Sequence, residues 1–148
     1  LSSRELFLQL QGLMGPVAHQ KGVALVIENL GEINILADRQ MVATVLRNLV
    51  SNALKFSFPN GKVNVEVSSV EGFALFSVAD IGTGIPPENQ AKLLELGNRF
   101  SSVGTASEAG TGLGLVLCRE FVEINGGKIY FQSEFGVGTT FFFTLPIT

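Results

Sequence analysis

The hydrophobic positions along the chain change period several times, and each change marks an element. Ser2-Ser3-Arg4-Glu5 resembles a capping box. Leu6, Leu10, Leu13 and Val17 follow at helical spacing, which predicts a first helix to about His19 that Pro16 kinks or splits. Val23 to Glu28 and Ile33 to Ala37 are short apolar runs rich in β-branched residues around an Asn29-Leu30-Gly31 break, the pattern of two paired strands. Asp38 caps a second helix with the buried stripe Met41, Val45, Leu49, Ala53 and Phe56, closed by the turn signal Pro59-Asn60-Gly61. Lys62 to Val70 alternates, Val63, Val65 and Val67 against Asn64, Glu66 and Ser68, and Phe73 to Ala79 is apolar almost throughout. That predicts a half-buried strand followed by a central one. Leu113 to Asn125 reads as a third helix stopped by Gly126-Gly127. Lys128 to Ser133 and Thr139 to Leu145 then form a hairpin through Phe135-Gly136-Val137-Gly138. The sum is an α+β fold of two layers, a mixed sheet with helices on one face.

One stretch has no such period. From Ser101 to Gly114, eleven of fourteen residues are Gly, Ser, Thr or Ala, a composition that buries little apolar surface and makes the segment a lid candidate. The rest of the chain, 46% hydrophobic over 148 residues, supports one core and is short for two, so 1–148 reads as a single soluble domain. A net charge of −3 with scattered Lys and Arg leaves no footprint for nucleic acid or anionic lipid. The longest apolar runs, such as Phe141 to Leu145, fall far short of the about 20 residues of a membrane span. A lone Cys118 excludes an internal disulfide and fits a core position of the third helix. His19 lies in a polar stretch with no second His or Cys to share a metal, and reads as a surface residue. A chain opening Leu1-Ser2-Ser3, without Met or a signal region, is expected to be a fragment of a larger protein.

Three groups carry candidate chemistry. Asn48, Asn52 and Lys55 are spaced i, i+4 and i+7 and project from one helix face, either a solvated surface or a ligand site. As a site, an Asn carbonyl is a neutral ligand suited to Mg²⁺, which keeps waters and takes phosphate oxygens, and a neighbouring Lys neutralises phosphate. Asp80-Ile81-Gly82-Thr83-Gly84-Ile85-Pro86 sets a carboxylate at a strand end, followed by glycines that allow close backbone approach to a flat ligand. Such a carboxylate can accept the amino hydrogen of adenine, although a plain turn has the same letters. Gly110-Thr111-Gly112-Leu113-Gly114-Leu115 opens the third helix, whose free amides offer a phosphate site, unless the stretch is a flexible linker. It lacks the Lys-Ser/Thr of a P-loop and the spacing of a dinucleotide fingerprint.

Together the groups are more specific than apart. Asn48 to Phe56 resembles the asparagine box, Asp80 to Ile85 the first glycine box and Gly110 to Leu115 the second glycine box of the ATPase superfamily shared by histidine kinases, DNA gyrase, a heat-shock chaperone and MutL proteins. Gly136-Val137-Gly138-Thr139-Thr140-Phe141, ending in Leu145-Pro146, resembles the closing strand of the histidine kinase branch. The resemblance implies the Bergerat ATP-binding fold and the catalytic domain of a sensor histidine kinase, with ATP and Mg²⁺ as cofactors. It implies that Asn52 coordinates Mg²⁺, that Asn48 and Lys55 reach the phosphates or their water shell, and that Phe56 packs beside the base. Asp80 would bind adenine, Gly82, Gly84 and Ile85 would line it, and Thr139 would support it through water. Gly110, Thr111, Gly112, Leu113, Gly114 and Leu115 would meet phosphate, and residues 87–112 would form the ATP lid with Phe100 as its aromatic anchor. The family's Phe-x-x-Phe-x-Arg lid pattern is replaced by Leu94-Glu95-Leu96-Gly97-Asn98-Arg99-Phe100, where the Arg precedes the Phe, so the pattern does not assign Arg99 to the γ-phosphate.

Gyrase-like members carry a Glu, which activates water, where this chain has Asn48. An amide cannot take that proton, so the resemblance implies a site that holds ATP until a histidine arrives. The expected partners are a histidine-bearing dimerisation domain of the parent kinase and a downstream response regulator, and the fragment is expected in the cytoplasm, whether the parent is membrane-anchored or not. His19 lacks the context of a phosphoacceptor, so the fragment is not expected to phosphorylate itself. Three alternatives share the fold: a degenerate module that only binds nucleotide, an anti-sigma-factor type serine kinase, and a hydrolytic ATPase.

Overall fold

The computed structural model describes residues 1–29, 31–90 and 113–148. Within them the chain runs α1 (Ser3–Lys21), β1 (Ala24–Asn29), α2 (Arg39–Phe56), β2 (Lys62–Val70), β3 (Phe73–Ile81), the short α3 (Pro87–Gln90), α4 (Leu113–Ile124), β4 (Ile129–Glu134) and β5 (Gly138–Pro146). The five strands form one sheet in the order β1-β2-β3-β5-β4. Only the β1–β2 pair is parallel, with α2 in the connection between them. This is the two-layer α+β architecture that the periodicity predicts. The alternation of β2 and β5 turns Val63, Val65 and Val67 and Phe141, Phe143 and Leu145 into the core under the helices. Phe76 of β3 stacks on its register partner Phe143 of β5, ring centroids 4.6 Å apart, and Phe7 of α1 meets Phe76 edge-on at 6.0 Å. Each fully buried Phe contributes about 1.5–3 kcal/mol by leaving water, so this trio fixes α1 over the centre of the sheet.

The structure corrects the sequence reading at several points. Ile33 to Ala37 is not a strand paired with β1; it makes only isolated bridges, Ser2 with Asn34 and Ile35 with Ile147, although Ile35 is buried. β1 pairs instead with β2, as its parallel connection through a helix permits. Pro16 does not interrupt α1, which is one helix capped by Ser2 at one end and by left-handed Gly22 at the other. Ser2 Oγ accepts the Glu5 N–H at 3.4 Å, as the capping pattern predicts, while a Glu5 carboxylate oxygen pairs with Arg39 at 2.6 Å. Leu13 and Val17 are exposed, and the buried face of α1 is Leu6, Phe7, Leu10, Met14 and Ala18. The stripe of α2 is likewise broader than predicted: Val42, Leu46, Val50 and Leu54 join Val45, Leu49 and Ala53, while Met41 and Phe56 are half-buried. This helix packs against α1 and α4 as well as the sheet, and so needs a wide apolar face.

Candidate functional site

The site is built where the C-terminal part of α2 meets the end of β3 and the start of α4. Ser57 caps α2, its hydroxyl donating to the Ala53 carbonyl at 2.8 Å, and Lys21 Nζ donates to the Lys55 carbonyl at 2.7 Å. The helix end is thereby tied to the end of α1, and the Ser57–Gly82 bridge and the Phe58 N–H to Ile81 carbonyl bond join it to the end of β3 and the loop after it. Thr83 N–H donates to the Phe56 carbonyl at 3.1 Å, and Gly82 approaches so closely that a Cβ on it would run into that same carbonyl. Gly82 is glycine because of this backbone approach. Gly84 has φ +68°, and a Cβ there would meet the Glu134 carbonyl at the end of β4. Both glycines of the Asp80 loop thus answer to neighbouring backbone.

On α2 the polar face is not a solvated surface. Asn48 and Asn52 are half-buried and Lys55 is buried, with its Nζ 4.9 Å from the centroid of the Phe56 ring. Cys118 of α4 is fully buried, as its helical position predicts; burial pushes its thiol up to about 12, and a hydrogen bond with the Asn48 side chain pulls it down in part. The first turn of α4 completes this side: a Cβ on Gly114 would lie 3.7 Å from Oδ1 of Asn48, in ordinary contact. The asparagine stands directly against the helix start, where free amide groups and the positive helix end favour an anion.

Asp80 lies in one row across the sheet, opposite Val63 of β2 and Thr139 of β5, and Thr139 lies opposite Ser133 of β4. Its Oδ1 accepts the Thr139 backbone N–H at 3.3 Å, the one hydrogen bond of this carboxylate among the described residues. Burial pushes the Asp80 carboxyl up to about 7, and the Thr139 N–H draws it back in part. A half-buried carboxyl with spare acceptor capacity suits a ligand that brings its own donor.

The structure therefore brings Asn48, Gly114 and the start of α4 together on one side, and Asp80, Ile85 and Thr139 together on the other, with Lys55 and Phe56 between them along α2. Leu115 is buried in the core beneath α4, and Leu113 begins that helix. Phe100, Gly110, Thr111 and Gly112 lie outside the described residues, as do Arg99 and most of the proposed lid. Sequence reasoning missed Ser133, whose hydroxyl accepts the Ile85 N–H at 2.8 Å and sits 2.8 Å from Thr139 Oγ1. The signal was available, since Ser133 and Thr139 bound the predicted hairpin and so face each other. It missed Lys21 as well, because a contact between the ends of two helices has no local pattern.

Residues 37–148 match the family described as histidine kinase-, DNA gyrase B- and HSP90-like ATPase. The chain belongs to that family. Within these ATPases its likeness is to histidine kinase catalytic domains. The histidine protein kinase DivJ of Caulobacter vibrioides is 41% identical over 119 residues, 79% of this chain and 19% of that protein. The nucleotide-free catalytic domain of histidine kinase ThkA has a TM-score of 0.80 at 28% identity, over 99% of this chain and 94% of that one. Full-length ShkA in complex with AMPPNP has a TM-score of 0.81 at 32% identity, over 97% of this chain and 30% of that one. The chain thus spans about a fifth of the length of a curated relative such as DivJ.

As a member of this ATPase family the domain binds ATP. The residues present suit that ligand: a half-buried carboxyl with one partner, a buried lysine and a helix start against an amide. They also suit Mg²⁺ delivered with the phosphates. Among the described residues no three His, Cys, Asp or Glu side chains cluster as a self-sufficient metal site, and Asn52 offers one neutral oxygen.

Proposed function

We propose that this domain binds ATP with Mg²⁺ and passes the γ-phosphoryl group to a histidine on a separate dimerisation domain of the parent kinase, from which a response regulator takes it. The observation that carries this reading is the position of Asn48, half-buried against the first turn of α4. An amide there can orient phosphate or its water shell and has no basic atom to activate water. The reading keeps ATP intact until the histidine supplies the nucleophile.

Each side chain has a role in it. Asp80 accepts the adenine amino hydrogen, Thr139 supports the base, and Gly82, Gly84 and Ile85 shape the loop beside it. Phe56 packs against the base edge. Asn52 gives its oxygen to Mg²⁺, which shields charge on the phosphates, while Lys55 and the α4 amides at Gly114 neutralise the rest. Phe100 and residues 110–112 belong to the lid in this reading. Transfer then depends on positioning and on charge neutralisation. No helix of the described residues is long and apolar enough to cross a membrane, and the reading puts the domain in the cytoplasm, with the ATP pool.

The test supplies the domain, in trans, with the histidine-bearing dimerisation domain of its parent chain and γ-labelled ATP. Acid-labile, base-stable label on the partner, and none on this domain alone, is the expected result. ADP formation without labelled partner contradicts it.

A further inference from the structure

Ser133 closes the row that begins at Asp80, and its hydroxyl is engaged on three sides. It accepts the Ile85 backbone N–H at 2.8 Å, lies 2.8 Å from Thr139 Oγ1 and lies 3.3 Å from the Gly138 carbonyl oxygen. A hydroxyl has one proton, so two arrangements exist. Either Ser133 donates to Thr139, which frees the Thr139 proton to point elsewhere, or Ser133 donates to Gly138 and Thr139 spends its own proton on Ser133.

Two features favour the first. The second needs Ser133 to donate across 3.3 Å, beyond the usual O–H···O range, whereas 2.8 Å is optimal. Moreover, Asp80 and Thr139 are register partners, and the Asp80 carboxylate already accepts the Thr139 backbone N–H, so a Thr139 hydroxyl proton freed from Ser133 has an acceptor-lined side to turn toward. An acceptor on Asp80 beside a donor on Thr139 matches adenine, which offers an amino donor at N6 and an acceptor at N1, directly or through one water. It opposes guanine, which offers an acceptor at O6 and a donor at N1.

We propose that Ser133 is a positioning residue that sets base selectivity: by taking the Ile85 N–H and giving its proton to Thr139, it makes the Thr139 hydroxyl a donor toward the Asp80 side. This rests on the adenine reading of Asp80. It goes beyond that reading in assigning the donor–acceptor pattern to a residue outside the recognised boxes.

The test measures, by calorimetry, the affinities for Mg²⁺·ATP, Mg²⁺·GTP and Mg²⁺·tripolyphosphate in the wild-type domain, in Ser133→Ala and in Ser133→Thr. In Ser133→Ala the ATP affinity falls roughly three- to tenfold while GTP and tripolyphosphate change little, so the ATP-to-GTP ratio narrows. Ser133→Thr, which keeps a hydroxyl, restores the ratio. Should Ser133→Ala not fold, Ser133→Cys, with its weak donor, takes its place. An unchanged ratio, or equal losses for all three ligands, overturns the assignment of Ser133 alone. A wild-type domain that does not prefer ATP over GTP overturns the adenine reading and this inference with it.

Discussion

Gly82 and Phe56 touch backbone to backbone: a Cβ on the glycine would clash with the Phe56 carbonyl oxygen. The contact joins the end of α2 to the loop after β3, so the two halves of the candidate site are set by one approach. Gly114 differs, since a Cβ there meets only the Asn48 side chain, at 3.7 Å. Gly82→Ala should therefore lower the melting temperature by several degrees and weaken ATP, the backbone shift costing about 1–3 kcal/mol. Gly114→Ala should leave stability unchanged or raised by up to about 1 kcal/mol, as Ala does for Gly within a helix, while weakening ATP. Paired thermal melts and titrations check both, and equal destabilisation by the two substitutions would contradict the distinction.

Asp80 should make the domain pH-dependent. Its folded-state carboxyl sits near 7 and its ordinary value is 3.8, so between these the native state holds a proton that the unfolded chain has lost. That contribution is fully present below about pH 3.8 and is lost as pH rises through about 7, at most about 4 kcal/mol for the whole shift. Asp80→Asn should melt higher than wild type at pH 8.5 and differ less at pH 5. ATP should respond in the opposite sense, because accepting the adenine amino hydrogen needs the ionised form. The ratio of ATP to tripolyphosphate affinity should fall below pH 7, and should be flat in Asp80→Asn.

Asn52 makes no side-chain hydrogen bond to the described residues and is only half-buried. Asn52→Ala should fold as the wild type does, within about 0.5 kcal/mol. It should lose the enhancement of ATP binding by Mg²⁺. A titration showing that enhancement intact would remove the metal role.

Cys118 should be chemically silent in the folded domain. Its side chain is fully buried and its thiol is pushed up to about 12, so almost no thiolate exists at pH 8. A disulfide-exchange reagent should react only as the domain unfolds, at a rate that follows denaturant. Rapid reaction in native buffer would contradict this packing.

Much of this was legible because β-alternation and helical period are local. Lys62–Val70 appears at its predicted bounds, Asn48, Asn52 and Lys55 stand on the predicted second helix, Asp80 stands at the end of its predicted strand, and Leu113 opens the predicted third helix. What escaped detection depends on contacts distant in sequence. Ile33 to Ala37 has strand composition, yet the parallel partner of β1 lies beyond α2 and leaves that run only bridges. The wide apolar face of α2 reflects three neighbours that periodicity cannot count. Gly82 and Gly84 were legible as glycines needing close approach, but only the fold shows that the approach is to the Phe56 and Glu134 carbonyls.

The most direct test of the central claim is a calorimetric titration of ATP into the domain with and without Mg²⁺, with ADP assayed in the same samples. The account predicts binding strengthened by Mg²⁺ and almost no ADP, because Asn48 cannot activate water. Brisk ADP formation by the domain alone would contradict it and return the chain to the hydrolytic branch of its family, and absent binding would mark a degenerate module.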